Sequence, residues 1–321
     1  MTGTVVGVLR GGPSQEHDVS LKTGATMLAH LPSDRFVARD IYIDKQGQWH
    51  DRGRAVDPVR ALQGVDAVLV GLHGEYGEDG QVQRLLELQG IPFTGANSFS
   101  SFMAMHKALA KHKAQEAGLK TPRGVLIENR SQIISGVKEA MQFMQPVIVK
   151  PVRWGSSVGI TIAHGFQPVF DAVDTLIDQG AGGVLVEELI KGTEATVGVV
   201  ENLRSERLYA LPVIEIVPPP RDFFSYDAKY SGESQEIVPG RFPRSVAEEL
   251  SRAAKLMHDA LGVRHYSRSD FIVSPKGVYY LETNTLPGMT PESLMPKSLG
   301  AVGITLPEFL THLVDLSIHH G

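Results

Sequence analysis

Over residues 1–95 the chain alternates short β-branched runs with longer segments of helical period, and few architectures accept that alternation. Residues 4–9 (TVVGVL) make the first such run, ending in the turn Gly11-Gly12-Pro13. Ser14 is placed to cap a helix over about 16–31, with Val19, Leu28 and Leu31 among its apolar positions. Residues 36–43 and 66–72 read as further strands, and 81–89 as a helix. The pattern predicts a mainly parallel sheet covered on both faces.

Beyond this unit the period changes. A longer helical stretch over 99–117 leads into VIVKPV (147–152) and ITIA (160–163), strands that flank the loop RWGSSVG. Residues 166–179 read as a helix and 184–189 as a strand. The segment 218–236 (PPPRDFFSYDAKYSGESQE) has no clean period, and a loop of that length in a compact domain is commonly a functional lid. A helix near 245–261, a hairpin over 267–284 and a helix near 307–318 complete the chain. These units predict domains over 1–95, 96–185 and 186–321.

The 321 residues suffice for two or three cores of their own. A net charge of −5 without a basic, aromatic-laced stripe argues against nucleic-acid binding. No apolar run approaches the ~18 residues that a membrane span needs. The N-terminus lacks the pattern of a signal peptide, and no cysteine is present, which rules out disulfides and thiolate metal sites. A cytoplasmic protein is expected.

The hairpin SRSDFIVSPKGVYYLETN carries the first chemical signal. Reading Pro275-Lys276-Gly277 as a three-residue loop pairs Ser274 with Val278, hence Asp270 with Glu282 and Arg268 with Asn284. Strand alternation then puts these four polar residues on one face and Phe271, Val273, Tyr279 and Leu281 on the buried one. Two carboxylates and an amide oxygen form a hard site suited to Mg²⁺ or Mn²⁺, ions that share their shell with phosphates. The alternative is a salt-bridge ladder in which Arg268 neutralises Asp270 and Glu282.

The second signal is KPVRWGSSVG. It matches G-x-S-x-G with Ser157 at the centre, the nucleophile elbow of serine hydrolases. An elbow needs a helix straight after the serine, whereas ITIA is short and β-branched. A strand–loop–strand flap, whose backbone N–H groups cover phosphates, fits better, with Lys150 as a neighbouring point charge. Neither G-x-G-x-x-G nor G-x-x-x-x-G-K-[ST] occurs.

Taken in order, GGPSQEHDVSL, LHGEYGEDG, PFTGANSFSSFMAMHK, VIVKPVRWGSSVG, VEELIKGTEATV, YDAKY, RSDF and ETNTLPGMTPESL closely resemble the D-alanine–D-alanine ligases of the ATP-grasp superfamily. The resemblance runs nearly the full chain. It implies an α/β protein, of α+β character in its ATP-grasp part, with three domains and an N-terminal parallel sheet. It also implies a ligase that joins two D-alanines through an acyl phosphate for peptidoglycan synthesis, using ATP and two Mg²⁺ or Mn²⁺ ions, and a homodimer.

Residue by residue, the resemblance makes Lys107 and Lys150 phosphate contacts and Gly155, Ser156 and Ser157 part of the phosphate flap. Glu187 and the Ile190 backbone would hold the adenine and Glu194 the ribose. Glu188 stands where some relatives carry lysine. Asp270, Glu282 and Asn284 would bind the metals. Glu16 would fix the first D-alanine's ammonium, with His73 nearby, and Ser156 and Tyr230 would tie Glu16 to the lid. Lys229 would meet the transferred phosphate, Ser293 and Leu294 the second carboxylate, and Arg268 and the Gly288 N–H the oxyanion. Tyr230 favours the dipeptide product over one made with D-lactate, and the alternative is a related ligase that uses D-lactate or D-serine as its second substrate. Trp154 stands where relatives often carry a charge.

Overall fold

β1 (Thr4–Gly11) leads through α1 (His17–His30) to β2 (Phe36–Ile43), with which it pairs in parallel. β3 (Trp49–Asp51) and β4 (Arg54–Val56) extend that edge antiparallel. After the short α2 (Pro58–Ala61), β5 (Ala67–Val70) pairs in parallel on the far side of β1, and α3 (Gln81–Leu88) follows. The predicted alternation is thus realised, and the strand interiors are apolar on both faces: Val6, Val8, Leu9, Val68 and Leu69 are all buried. The computed structural model describes residues 3–143, 145–156, 158–218 and 235–319.

The stretch expected as one helix over 99–117 is two: α4 (Ser98–Met105) and α5 (Lys107–Glu116). His106 breaks it, with ψ at 92° and its Nδ1 accepting from Leu109 N at 3.3 Å, which caps α5. The break matters because it swings the first turn of α5, with Lys107 and Lys111, toward the next sheet. That sheet holds β6 (Gly124–Ile127), β7 (Val147–Pro151), β8 (Thr161–Ala163) and β9 (Val184–Glu188), in the order β6-β9-β7-β8 and antiparallel throughout. α6 (Ile133–Ala140) and α7 (Phe166–Asp178) pack on it through Val137, Val169 and Val173.

The third sheet has β10 (Thr193–Leu203), β11 (Glu206–Ala210), β12 (Ile214–Val217) and β13 (Gln235–Ile237) before α8 (Arg244–Ala260), then β14 (Tyr266–Ser274) and β15 (Gly277–Asn284). Its order is β13-β12-β10-β14-β15, with β11 also on β10. α4, α5 and α8 share its core, which includes Ala110, Ala114, Met257, Phe271 and Tyr280. α9 (Leu294–Ala301) and α10 (Leu306–His319) instead join the first core through Leu299, Leu310 and Val314, α10 packing on β5 and α1. The last helix therefore seals the first sheet. No single described helix is long and apolar enough to cross a membrane.

Candidate active site

A cleft opens between the second and third sheets, roofed by the β7–β8 loop and floored by β10, β14 and β15. The β7–β8 connection is an antiparallel hairpin, so the strand-to-helix turn of a nucleophile elbow is not formed. Ser157 itself lies outside the described residues, as do Lys229, Tyr230 and most of the lid expected within 218–236, whose last two residues instead open β13.

The floor hairpin pairs Asp270 with Glu282 and Arg268 with Asn284, the pairs that alternation predicts. The route to them differs from the expected one. Ser274 pairs with Gly277 across a two-residue turn, and a bulge beside Asp270 and Phe271 takes up the extra residue, Leu281. Between turn and bulge the faces are therefore exchanged: Val278 and Tyr280 go into the core, while Tyr279 and Leu281 are only partly buried, and Leu281 faces the cleft. Asp270 accepts from Arg268 Nε and Nη2, each at 3.2 Å, and from Thr196 Oγ1 at 2.5 Å. Glu282 lies 3.6 Å from Lys107 Nζ. Asn284 Oδ1 accepts from Leu286 N at 2.9 Å, an Asx turn that starts the descent into Leu286-Pro287-Gly288.

Lysines crowd the other wall. Lys107 donates from its backbone to Val152 O at 3.0 Å and from Nζ to Trp154 O at 2.6 Å. Trp154 thereby gains a place, its carbonyl holding Lys107 while its ring packs on the second core. Glu187 is 1% exposed and ion-pairs with both Lys111 and Lys150 at 2.6 Å. Burial alone would raise the Glu187 carboxyl, but the two lysines outweigh it and hold it below its ordinary value. Burial pushes Lys111 down to about 8 against the pull of Glu187. Glu188 Oε1 accepts from Arg123 N at 3.0 Å, which ties it to the start of β6. Ile190 and Glu194 line the same cleft.

At the inner end of the cleft the first sheet contributes Glu16, the residue before α1. Its carboxylate takes a hydrogen bond from Ser156 Oγ across 140 residues of sequence. Ser156 sits in the left-handed region at φ 50°, a conformation that costs a non-glycine residue energy and recurs at functional sites. Two glycines make room for the carboxylate: a Cβ on Gly74 or Gly155 would stand 2.7 or 2.9 Å from Glu16 Oε2. Gly74 also has φ +70°, so it is bound to glycine twice over. Burial raises the Glu16 carboxyl, while Ser156 and Lys107 pull it back.

Behind Gly74 stands Glu78, 8% exposed, accepting from Gly74 N at 2.7 Å. Burial, with Glu16 adding, pushes its carboxyl up to about 8. His73 meets Thr23 Oγ1 at 2.8 Å, and burial with nearby Arg268 holds it down to about 4, so it is neutral at pH 7. Ser14 does not cap α1. Its Oγ donates to His73 O at 2.7 Å and accepts from Glu16 N at 3.1 Å, which fastens the two loops together.

Past the hairpin, a Cβ on Gly288 would stand 2.7 Å from Ser293 Oγ. Ser293 is the residue before α9, and Leu294 opens that helix, whose first N–H groups are free for an anion. Ser293 Oγ also meets Thr290 Oγ1 at 2.8 Å.

Lys107, Lys150, Gly155, Ser156, Glu187, Glu188, Ile190, Glu194, Asp270 and Glu282 thus share one cleft, and Glu16 reaches it through Ser156. Lys111 and Glu78 escaped the sequence reading. Lys111 could have been found as the residue four after Lys107, on the same helical face. Glu78 carries no periodic signal at all. Among the described residues no three His, Cys, Asp or Glu side chains gather as a metal centre. The two carboxylates and one amide oxygen fit a hard divalent ion that takes its remaining ligands from water and phosphate.

Two family models match the chain: D-ala D-ala ligase N-terminus over residues 5–61 and 50–96, and D-ala D-ala ligase C-terminus over 115–315. The D-alanine–D-alanine ligase of Geotalea uraniireducens is 38% identical over 312 residues, 96% of this chain and 94% of its own. That of Halalkalibacterium halodurans is 36% identical over 318 residues, 98% and 99% of the two chains. The VanG D-Ala:D-Ser ligase from Enterococcus faecalis superposes with a TM-score of 0.87 at 29% identity, covering 98% of this chain and all (100%) of its own. The Bacillus anthracis D-alanine–D-alanine ligase reaches 0.84 at 32% identity and, complexed with ATP, 0.79 at 28%; each covers 99% of this chain and 98% of its own.

Proposed function

The chain belongs to the D-alanine–D-alanine ligase family, of ATP-grasp fold, and we propose that it joins two D-alanines into D-alanyl-D-alanine for peptidoglycan synthesis, releasing ADP and phosphate. One observation carries the reading. The hydrogen bond from Ser156 to Glu16 fastens the phosphate flap to the loop that would receive the first amino acid. A carboxylate held there lies beside the lysine-lined cleft where a nucleotide would end.

A carboxylate is a poor electrophile, so it first takes the γ-phosphoryl group of ATP and becomes an acyl phosphate. That transfer is mostly positioning and charge neutralisation, for which Lys107 and Lys150 supply cations and the flap supplies backbone N–H groups. Glu16 holds the ammonium of the first D-alanine. Ser293 and the Leu294 N–H hold the carboxylate of the second at the start of α9. The second amine then attacks the carbonyl carbon, loses a proton and expels phosphate, and Arg268 with the Gly288 N–H steadies the oxyanion on the way. Asp270, Glu282 and Asn284 would hold Mg²⁺ or Mn²⁺, which when bound offsets phosphate charge. We place the lid in the segment from 221 to the start of β13, with Lys229 on the transferred phosphate and Tyr230 on Glu16. Tyr230 favours an amine acceptor over D-lactate.

The three sheets support the division near residue 95 but move the second boundary from 185 to past Glu188, because β9 pairs with β6 and β7; α4 and α5 pack on the third unit and α10 on the first. A homodimer, testable by sedimentation, and a cytoplasmic setting where ATP is supplied complete the proposal. The test incubates the protein with Mg-ATP and D-alanine, L-alanine, or D-alanine with D-serine or D-lactate, and identifies products by mass. D-alanyl-D-alanine with one phosphate per dipeptide, lost in Glu282→Ala, is expected. Phosphate without dipeptide would reassign the acceptor, and no ATP turnover would sink the ligase reading.

A further inference from the structure

The buried cluster at the foot of the cleft has a charge balance that the catalytic scheme does not use. Glu187 holds two lysines at 2.6 Å, Lys111 through Oε1 and Lys150 through Oε2, and all three residues are buried. Lys107, one turn before Lys111 on α5, is already opposed by Glu282 at 3.6 Å. A pair of Lys150 and Glu187 alone would be neutral, and Lys150 would present a dipole to a phosphate rather than a charge. With Lys111 the cluster becomes a triad with one surplus positive charge. Such a surplus is unfavourable in a dry site unless an anion arrives to match it.

We propose that Lys111 is a positioning residue which neutralises Glu187 so that Lys150 keeps its full charge for the nucleotide phosphates. Through the lysines Glu187 then acts on the nucleotide's phosphates, in addition to the adenine role expected from the resemblance. Both of its oxygens lie 2.6 Å from an ammonium nitrogen, but Oε1 has no hydrogen-bond partner and stays available to a base edge in the cleft that Glu187 lines. The inference rests on the ligase reading, which puts ATP in this cleft.

The two roles separate in a ladder of ligands measured by calorimetry on the full chain: adenosine, AMP, ADP and ATP. Lys111→Met is expected to weaken ATP on the order of tenfold, with a loss that grows along the ladder and vanishes for adenosine. The double variant Lys111→Met/Glu187→Gln is expected to recover ATP binding, because glutamine no longer cancels Lys150. Glu187→Gln alone is expected to keep the parent's ratio of ATP to adenosine affinity or to raise it. Thermal melts of each variant run alongside, and Glu187→Gln, which keeps both lysines, decides the matter if Lys111→Met does not fold. Equal loss for adenosine and ATP, no recovery in the double variant, or a lower ratio of ATP to adenosine affinity in Glu187→Gln would overturn the proposal. A parent protein that binds adenosine but not ATP would overturn the ligase reading itself.

Discussion

Replacing Gly155 by alanine tests the geometry around Glu16 with a single methyl group. The backbone at Gly155 is outside the left-handed region, so alanine adds no conformational strain. Its Cβ would stand 2.9 Å from Glu16 Oε2, short of an ordinary 3.4 Å contact by about 0.5 Å. Glu16 cannot simply retreat, because Gly74 lies against the same oxygen and Ser156 holds the other. Either the carboxylate or the flap must move by that half ångström. A misplacement of about 1 Å costs roughly 10²-fold in rate, so half of it should cost roughly tenfold, or ~1.4 kcal/mol. The assay follows phosphate release against D-alanine at saturating ATP. We expect kcat/KM for D-alanine to drop about tenfold and KM for ATP to stay within about twofold. Unchanged D-alanine kinetics would refute the view that Gly155 is glycine to admit the carboxylate. An equal loss toward ATP would mean that the flap, and not Glu16, had yielded.

Glu78 offers a test by pH. Its carboxyl is pushed from 4.5 up to about 8 in the folded chain, burial being the main cause. The unfolded chain therefore ionises it first, so its stabilising contribution is full below about pH 4.5 and is lost as pH rises toward about 8. The total is on the order of 5 kcal/mol. Urea midpoints of the parent and Glu78→Gln should show the gap shifting toward the variant between acid and alkaline pH, and a pH-independent gap would count against a neutral Glu78. On α9, a Cβ on Gly300 meets nothing within 4 Å, so Gly300→Ala should stabilise the protein by about 0.5–1 kcal/mol without altering kinetics. A lower melting temperature would show that the helix needs glycine there.

Much of the site could be read before any coordinates. Asp270 and Glu282 fall opposite one another because a strand's side chains repeat every two residues and a short turn sets the count. The reading reached the right pairs through the wrong turn. A two-residue turn shortens the count by one, and the bulge at Leu281 restores it, so the two errors cancel at Asp270 but not at Tyr279 and Tyr280. Local periodicity cannot see a bulge, since the extra residue is tolerated by packing against neighbouring strands. The break at His106 was missed for a similar reason. Residues 99–117 all suit a helix, and it is the seating of Lys107 N on Val152 O that rewards ending one helix and starting another.

By itself the sequence determined the strand–helix alternation of the first unit, the flap between two strands, and the polar face of the last hairpin. Each rests on neighbours a few residues apart, where backbone geometry repeats. Only the tertiary structure decided that Ser156 meets Glu16, that Glu78 lies under Gly74, and that two lysines share Glu187. Apart from Glu78 and Gly74, which are four residues apart, those partners are tens to more than a hundred residues apart, and what joins them all is burial. A carboxylate or ammonium taken out of water must find an opposite charge or a hydrogen bond, and the folded chain offers few places where it can.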